Sequence, residues 1–198
     1  MARALGDAKP GASCFYARPQ TLRMLADAGQ SKVILTGSFT GAWNFGDVLQ
    51  LRGALRWHMM RGSGAVCSVH GLPTLLSPLQ FERLRTTFGT DYWLFYSGGH
   101  PDHARRARAL GLERLAGRIA GSTVLHVYGG GFFNRLWGDA GLQRIETMLA
   151  HVEPGRYVIS GQQIGSEFAA DLAEHCRRRS PTIIGCRDEA SLSLVQQH

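Results

Sequence analysis

Hydrophobic residues fall into six short, nearly continuous runs, separated by longer stretches in which apolar positions recur every three to four residues. The runs are residues 32–36 (KVILT), 65–69 (AVCSV), 92–96 (YWLFY), 123–128 (TVLHVY), 156–160 (RYVIS) and 182–185 (TIIG). A strand with one face in water alternates apolar and polar residues. A strand covered on both faces does not, so the continuous runs predict parallel strands buried between helices. The amphipathic stretches predict helices over 47–60, 78–88, 101–119, 140–151, 167–179 and 189–197. Strand followed by helix thus occurs six times. Parallel neighbours need crossover connections, usually helical, so the expected fold class is α/β, an open, doubly wound and mainly parallel sheet. Residues 1–30 hold one short helical pattern, 19–28, closed by Gly29, and read as an N-terminal extension to a domain over 31–198.

With 44% hydrophobic and 19% charged residues, the 198-residue chain can bury a sizeable core and carries too little charge for disorder. No apolar run approaches the roughly 20 residues that span a bilayer, and the first residues lack the apolar centre of a secretory signal, so a cytoplasmic location is expected. Cys14, Cys67, Cys176 and Cys186 form no C-x-x-C pair, which argues against a zinc ribbon or a disulfide scaffold and predicts reduced packing residues. The net charge of +7 comes almost wholly from arginine, Lys9 and Lys32 being the only lysines. A basic surface suits nucleic acid, an anionic membrane or a phosphorylated substrate. Apart from Arg105, Arg106 and Arg108 and the run from Arg177 to Arg179, the arginines are scattered, and no nucleic-acid motif accompanies them. Solvated helix faces are their expected role, and no nucleic-acid partner is expected.

Ligands of open α/β sheets sit outside the carboxyl ends of the strands, where four segments are unusual. Residues 37–47 (GSFTGAWNFGD) form a glycine-rich loop opening into a helix, whose first amides can hold an anion. Neither G-x-G-x-x-G nor G-x-x-x-x-G-K-[ST] is present, so NAD and ATP are not indicated. Asp47 is either a first-turn carboxylate favoured by the helix dipole or a catalytic or ligand-orienting group. Gly129, Gly130 and Gly131 are costly in conformational entropy and need a backbone reason, close packing or ligand contact. Phe132, Phe133 and Trp137 are either core residues or a wall for a sugar ring. Residues 161–165 (GQQIG) make a polar turn into a helix. In 186–191 (CRDEAS), the fork of Arg187 suits a carboxylate or phosphate, the alternative being a surface pair with Asp188 or Glu189. His126 lies inside a strand and reads as a satisfied core histidine. Cys186 has no local histidine partner and is not expected to be a nucleophile.

Taken in order, Asn44-x-Gly46-Asp47 at a helix start, Gly129-Gly130-Gly131-Phe132, Gly161-Gln162-x-Ile164-Gly165 and Arg187-Asp188-x-x-Ser191 resemble the polysaccharide pyruvyl transferase family, over a stretch from about Val33 to the end. Ser166 stands where the family turn carries proline. The resemblance implies transfer of the pyruvyl group of phosphoenolpyruvate to a sugar of a cell-surface polysaccharide as a cyclic ketal, on a Rossmann-like half of a GT-B-like fold. Phosphoenolpyruvate is then the donor substrate, with no separate cofactor, and no residue is assigned to a metal. It further implies catalytic roles for Asp47 and Arg187. Asn44, Gly46, Gly129, Gly130, Gly131, Gln162, Gly165 and Ser191 become substrate-binding residues, and Arg187 contacts the donor as well. Family members continue into a second α/β domain whose Arg-x-His motif helps protonate the donor. The chain is therefore expected to act as an N-terminal half, with a further half or a partner chain, and to show an apolar surface near residues 191–195. The implied acceptor is a saccharide or lipid-linked saccharide, with peripheral membrane association. Two rival readings are a GT-B glycosyltransferase using a nucleotide sugar, for which no ribose-binding acid is identifiable, and a non-catalytic carbohydrate- or anion-binding domain.

Overall fold

The computed structural model describes residues 12–37, 45–62, 64–72 and 77–198. Eight strands share one sheet: β1 (Cys14–Ala17), β2 (Lys32–Gly37), β3 (Ala65–Gly71), β4 (Trp93–Ser97), β5 (Glu113–Arg114), β6 (Thr123–Phe133), β7 (Arg156–Ile164) and β8 (Ile183–Cys186). Their spatial order is β5-β1-β4-β3-β2-β6-β7-β8. The helices are α1 (Pro19–Ala26), α2 (Phe45–Met60), α3 (Pro78–Phe88), α4 (Pro101–Ala109), α5 (Gly138–Leu149), α6 (Ala169–Arg179) and α7 (Glu189–Gln197). The six strands legible in the sequence are all mutually parallel. Taken alone, they run in the order third, second, first, fourth, fifth, sixth, the doubly wound order of a Rossmann-like sheet.

The continuous apolar runs of β2, β3, β4 and β6 are explained by the two cores, while β8, expected to be covered on both faces, leaves Ile183 56% exposed at the sheet edge. Val33 and Leu35 of β2, with Trp93, Phe95 and Tyr128, pack against Leu51 and Leu55 of α2 and Leu84 and Phe88 of α3. Ile34, Cys67, Leu125, Val127 and Ile159 point the other way, onto Leu25 of α1, Ile145 and Met148 of α5 and Leu172 of α6. Successive strand residues therefore enter different cores, and each fully buried aliphatic side chain contributes roughly 1.5 to 3 kcal/mol.

Two expectations are corrected. Residues 1–30 are not wholly an extension outside the sheet: Cys14–Ala17 forms β1, antiparallel to β4 from Cys14↔Ser97 to Ala17↔Leu94, and Phe15 is fully buried. The helix expected over 101–119 stops at Ala109, because Gly111 turns the chain with φ +67° and Glu113–Arg114 then pairs with β1. Two segments expected to be loops are strand instead, since β6 continues through Gly129–Gly131 and β7 through Gln162.

Lys32 is 1% exposed, and its ammonium donates to the carbonyls of Asp27, Gln30 (2.7 Å) and Ala120 (2.7 Å), tying the turn before β2 to the segment before β6. Burial pushes its pKa down. Lys32→Met keeps the stem but leaves three carbonyls without their donor, so a loss of about 3 kcal/mol is expected in urea unfolding. An unchanged midpoint would show that water serves those carbonyls equally well.

Candidate functional site

The order in which strands are added reverses between the parallel neighbours β2 and β6. The helix leaving β2, α2, packs on one face and the helix leaving β6, α5, on the other, so the carboxyl ends of these two neighbours form the switch point whose crevice binds ligands in open α/β sheets. Gly37 pairs with Tyr128 across it, and a Cβ at Gly37 would lie 2.6 Å from the Tyr128 ring. Gly129 and Gly130 have φ of +31° and +114°, and a Cβ at Gly129 would lie 2.8 Å from Gln50 Oε1 of α2. Left-handed backbone and the approach of α2 thus supply the backbone reason for glycine here.

The crevice contains a cation that the sequence motifs do not include. Arg144 of α5 is 6% exposed; its guanidinium donates to the Gly37 carbonyl and lies 5.9 Å from the Phe132 ring. Its Nε has no partner among the described residues. The same holds for four other buried polar atoms of this region, Thr36 Oγ1, Gln50 Oε1, Tyr128 OH and Gln162 Oε1. Burial pushes the Arg144 pKa down, opposed by the hydroxyls of Tyr128 and Tyr96. Burial also pushes the Tyr128 phenol up; Arg144 opposes this, and Asp47 is close enough to add to it. On β3, burial and then the Arg144 charge push His70 down to about 3, so it stays a neutral imidazole, with Nε2 3.2 Å from Ser68 Oγ. Native cores pair their buried polar groups, so these open atoms on β2, α2, β6, β7 and α5 make the switch point the candidate site.

The sequence-predicted residues divide into several groups. Asn44 lies outside the described residues. Gly46 and Asp47 stand in the first turn of α2, Gly46 exposed and Asp47 half-buried. Gly130, Gln162 and Cys186 form one row across β6, β7 and β8, and the Arg187 amide donates to the Gln162 carbonyl at 2.8 Å. Gly130, Gly165 and Arg187 therefore share the carboxyl end of the sheet, as expected. The Arg187 side chain is exposed, whereas Gln162 is fully buried and donates its amide to the Ser160 carbonyl at 3.1 Å. Gly165 donates to the Phe133 carbonyl at 2.8 Å, and a Cβ there would lie 2.6 Å from the Glu167 carboxylate. Ser191 is buried; its hydroxyl accepts the Ile164 amide at 2.9 Å, and its own amide is capped by Asp188 at 2.8 Å. These bonds join α7 to β7.

Phe132 and Phe133 are 6% and 0% exposed and belong to the core; Trp137 and Leu136 remain at the surface. His126 is only half-buried but satisfied at both nitrogens, with His58 Nε2 2.9 Å from Nδ1 and Ser160 Oγ 2.6 Å from Nε2. Burial and then His58 push it down to about 4. All four cysteines are free, and burial followed by Asp188 pushes the Cys186 thiol up, against nucleophilic use. An apolar cavity of about 280 Å³ lies between α6, α7 and β8, lined by Leu172, Ile184, Leu194 and Val195, with Leu192 exposed beside it. Among the described residues no group of three or more His, Cys, Asp or Glu is placed to hold a metal, and no helix is long and apolar enough to cross a membrane.

Arg144 did leave a trace in the sequence. Gly141, Arg144, Ile145 and Met148 are the buried residues of one α5 stripe, with i, i+3, i+4, i+7 spacing, and an arginine within such a stripe is buried. No family model matches the chain, and neither does any curated protein or solved structure.

Proposed function

We propose that the chain is the Rossmann-like half of a GT-B-like pyruvyl transferase, binding phosphoenolpyruvate in the crevice between β2 and β6 and transferring its pyruvyl group to a sugar of a cell-surface polysaccharide. The observation that supports this best is Arg144, a buried guanidinium with an open Nε among unpartnered polar atoms. Phosphoenolpyruvate carries a carboxylate and a phosphate and needs fixed positive charge. Arg144, the amides at the start of α2 and Arg187 on the same sheet end provide it. The choice of phosphoenolpyruvate as the donor rests on the resemblance of the four motifs.

In this reading the methylene carbon of the donor gains a proton, and a sugar hydroxyl adds to the neighbouring carbon. The C–O bond to phosphate breaks with its electrons on the leaving phosphate, and a second hydroxyl closes the ketal. One donor and one sugar diol give one ketal and one inorganic phosphate. Asp47 accepts the proton of the attacking hydroxyl, and Arg144 stabilises charge on the departing phosphate. The acid that protonates the methylene carbon belongs, on the family resemblance, to another α/β domain.

Calorimetric titration of phosphoenolpyruvate and of nucleotide sugars into the chain tests the reading. Heat is expected with phosphoenolpyruvate alone. Binding of nucleotide sugars with phosphoenolpyruvate silent would move the assignment to glycosyl transfer, and silence from both would remove the transferase reading. Because Arg187 is exposed, Arg187→Ala is expected to weaken the donor by only about 1 kcal/mol.

A further inference from the structure

We propose that the outward face of α2 docks on an anionic lipid surface. Helix α2 is apolar on both sides. Leu51 and Leu55 face the sheet, while Phe45, Leu49, Trp57 and Met60 are 75%, 50%, 52% and 75% exposed. The exposed four recur at three-, four- and eight-residue steps, with Gly53 between them, where an added Cβ would meet nothing within 4 Å. They form one stripe along about 22 Å of helix. A single exposed apolar side chain is ordinary, but a continuous stripe marks an interaction surface.

Charge selects the occupant. Arg52 and Arg56 are exposed beside the stripe, and the Arg61 guanidinium lies 4.5 Å from the Trp57 ring centre. Residues 48–61 contain no Asp or Glu. A second copy related by a two-fold axis would bring arginines against arginines with no acid on this helix face to offset them. Nucleic acid would satisfy the arginines but leave Phe45, Leu49 and Met60 without a base platform's geometry. An anionic bilayer meets both demands: the apolar side chains enter the headgroup boundary, Trp57 sits at the interface and the arginines remain at the lipid phosphates. Because the stripe begins in the same turn as Asp47, docking would hold the crevice at the membrane surface. Peripheral membrane association is also what the pyruvyl transferase resemblance implies, but the docking face and its lipid are argued from α2 alone and tested without donor, so either reading can fail without the other.

The test is co-sedimentation of the full chain with vesicles of phosphatidylcholine alone and of phosphatidylcholine with phosphatidylglycerol. Retention is expected on the anionic vesicles only, falling as salt is added. Arg52→Gln combined with Arg56→Gln should weaken it roughly 30-fold, from the usual contribution of two basic residues at an anionic surface. Leu49→Glu combined with Met60→Glu should abolish it while leaving the circular-dichroism melt unchanged, since both positions are exposed. Absence of wild-type retention, or equal retention by the variants, overturns the proposal. A doubled sedimentation mass that Leu49→Glu reverses would assign the face to a second copy instead.

Discussion

A protein carrying Arg144→Met is expected to bind phosphoenolpyruvate about a hundredfold more weakly than wild type and yet to melt no earlier. Removing one partner of a desolvated charge pair costs about 2 to 5 kcal/mol of affinity. The expectation for the fold runs the other way. Arg144 is 6% exposed, its charged form is disfavoured by burial, and no acidic partner faces it among its assigned interactions. A buried charge so weakly compensated costs several kcal/mol, whereas methionine fills similar space without that penalty and forfeits one hydrogen bond to Gly37, worth about 1 kcal/mol. Arg144→Lys should recover part of the affinity, because an ammonium keeps the charge but not the fork. Calorimetric titration together with scanning calorimetry of the three proteins separates the cases. If melting falls sharply while the folded remainder binds donor like wild type, Arg144 is a strut for the end of β2 and not a ligand group.

The residues hidden from a sequence reading were hidden for physical reasons. Strands β2, β3 and β4 are legible because parallel strands buried on both faces leave runs such as KVILT, whereas β8 is an apolar run at the sheet edge with Ile183 56% exposed. β1 is not legible, since CFYA is four residues long, and β5 is two exposed charged residues held only by backbone pairing with β1. Glycine inside a strand reads as a turn, so the extensions of β6 and β7 look like loops. Their register, Gly130↔Gln162↔Cys186, appears only once the strands are paired. In Arg187-Asp188-x-x-Ser191, the Asp-x-x-Ser spacing is that of a helix cap and its third residue. The structure shows Asp188 in that use, capping the Ser191 amide, while the Ser191 hydroxyl instead accepts the Ile164 amide of β7. Arg144 lies within an apolar stripe that reads as core, and the open polar atoms near it appear only once the chain is folded.

Acid is expected to unfold the protein well above the ordinary range of carboxylate titration. Burial pushes His70 down to about 3 and His126 down to about 4, and it lowers His58 and His175 as well. The groups facing them add little that welcomes a proton. His126 meets His58 and Ser160, and His70 meets Ser68, the Trp93 and Phe95 rings and the Arg144 charge. His175 does have a carboxylate, Glu146 at 2.8 Å, with the Tyr157 hydroxyl at 2.8 Å on its other nitrogen. In the unfolded chain each histidine returns to about 6.5. Below that pH the unfolded state binds protons that the folded state refuses, so stability is complete above about pH 7 and falls by about 1.4 kcal/mol per pH unit for each such histidine. His126 stops contributing near its folded value of about 4 and His70 near about 3. Glu146 acts with the same sign at lower pH. Burial pushes it up, but hydrogen bonds from Arg179 and His175 outweigh this and hold it below the usual range, so its contribution is lost as pH falls through that lowered value. Urea unfolding between about pH 8 and about pH 5 should therefore show a midpoint that drops steeply below about pH 6.5. His126→Gln can accept and donate at the same place but cannot titrate, and should flatten the slope by about 1.4 kcal/mol per pH unit. A wild-type midpoint that stays level across this range would mean that water reaches these imidazoles and that their burial does not govern the charge.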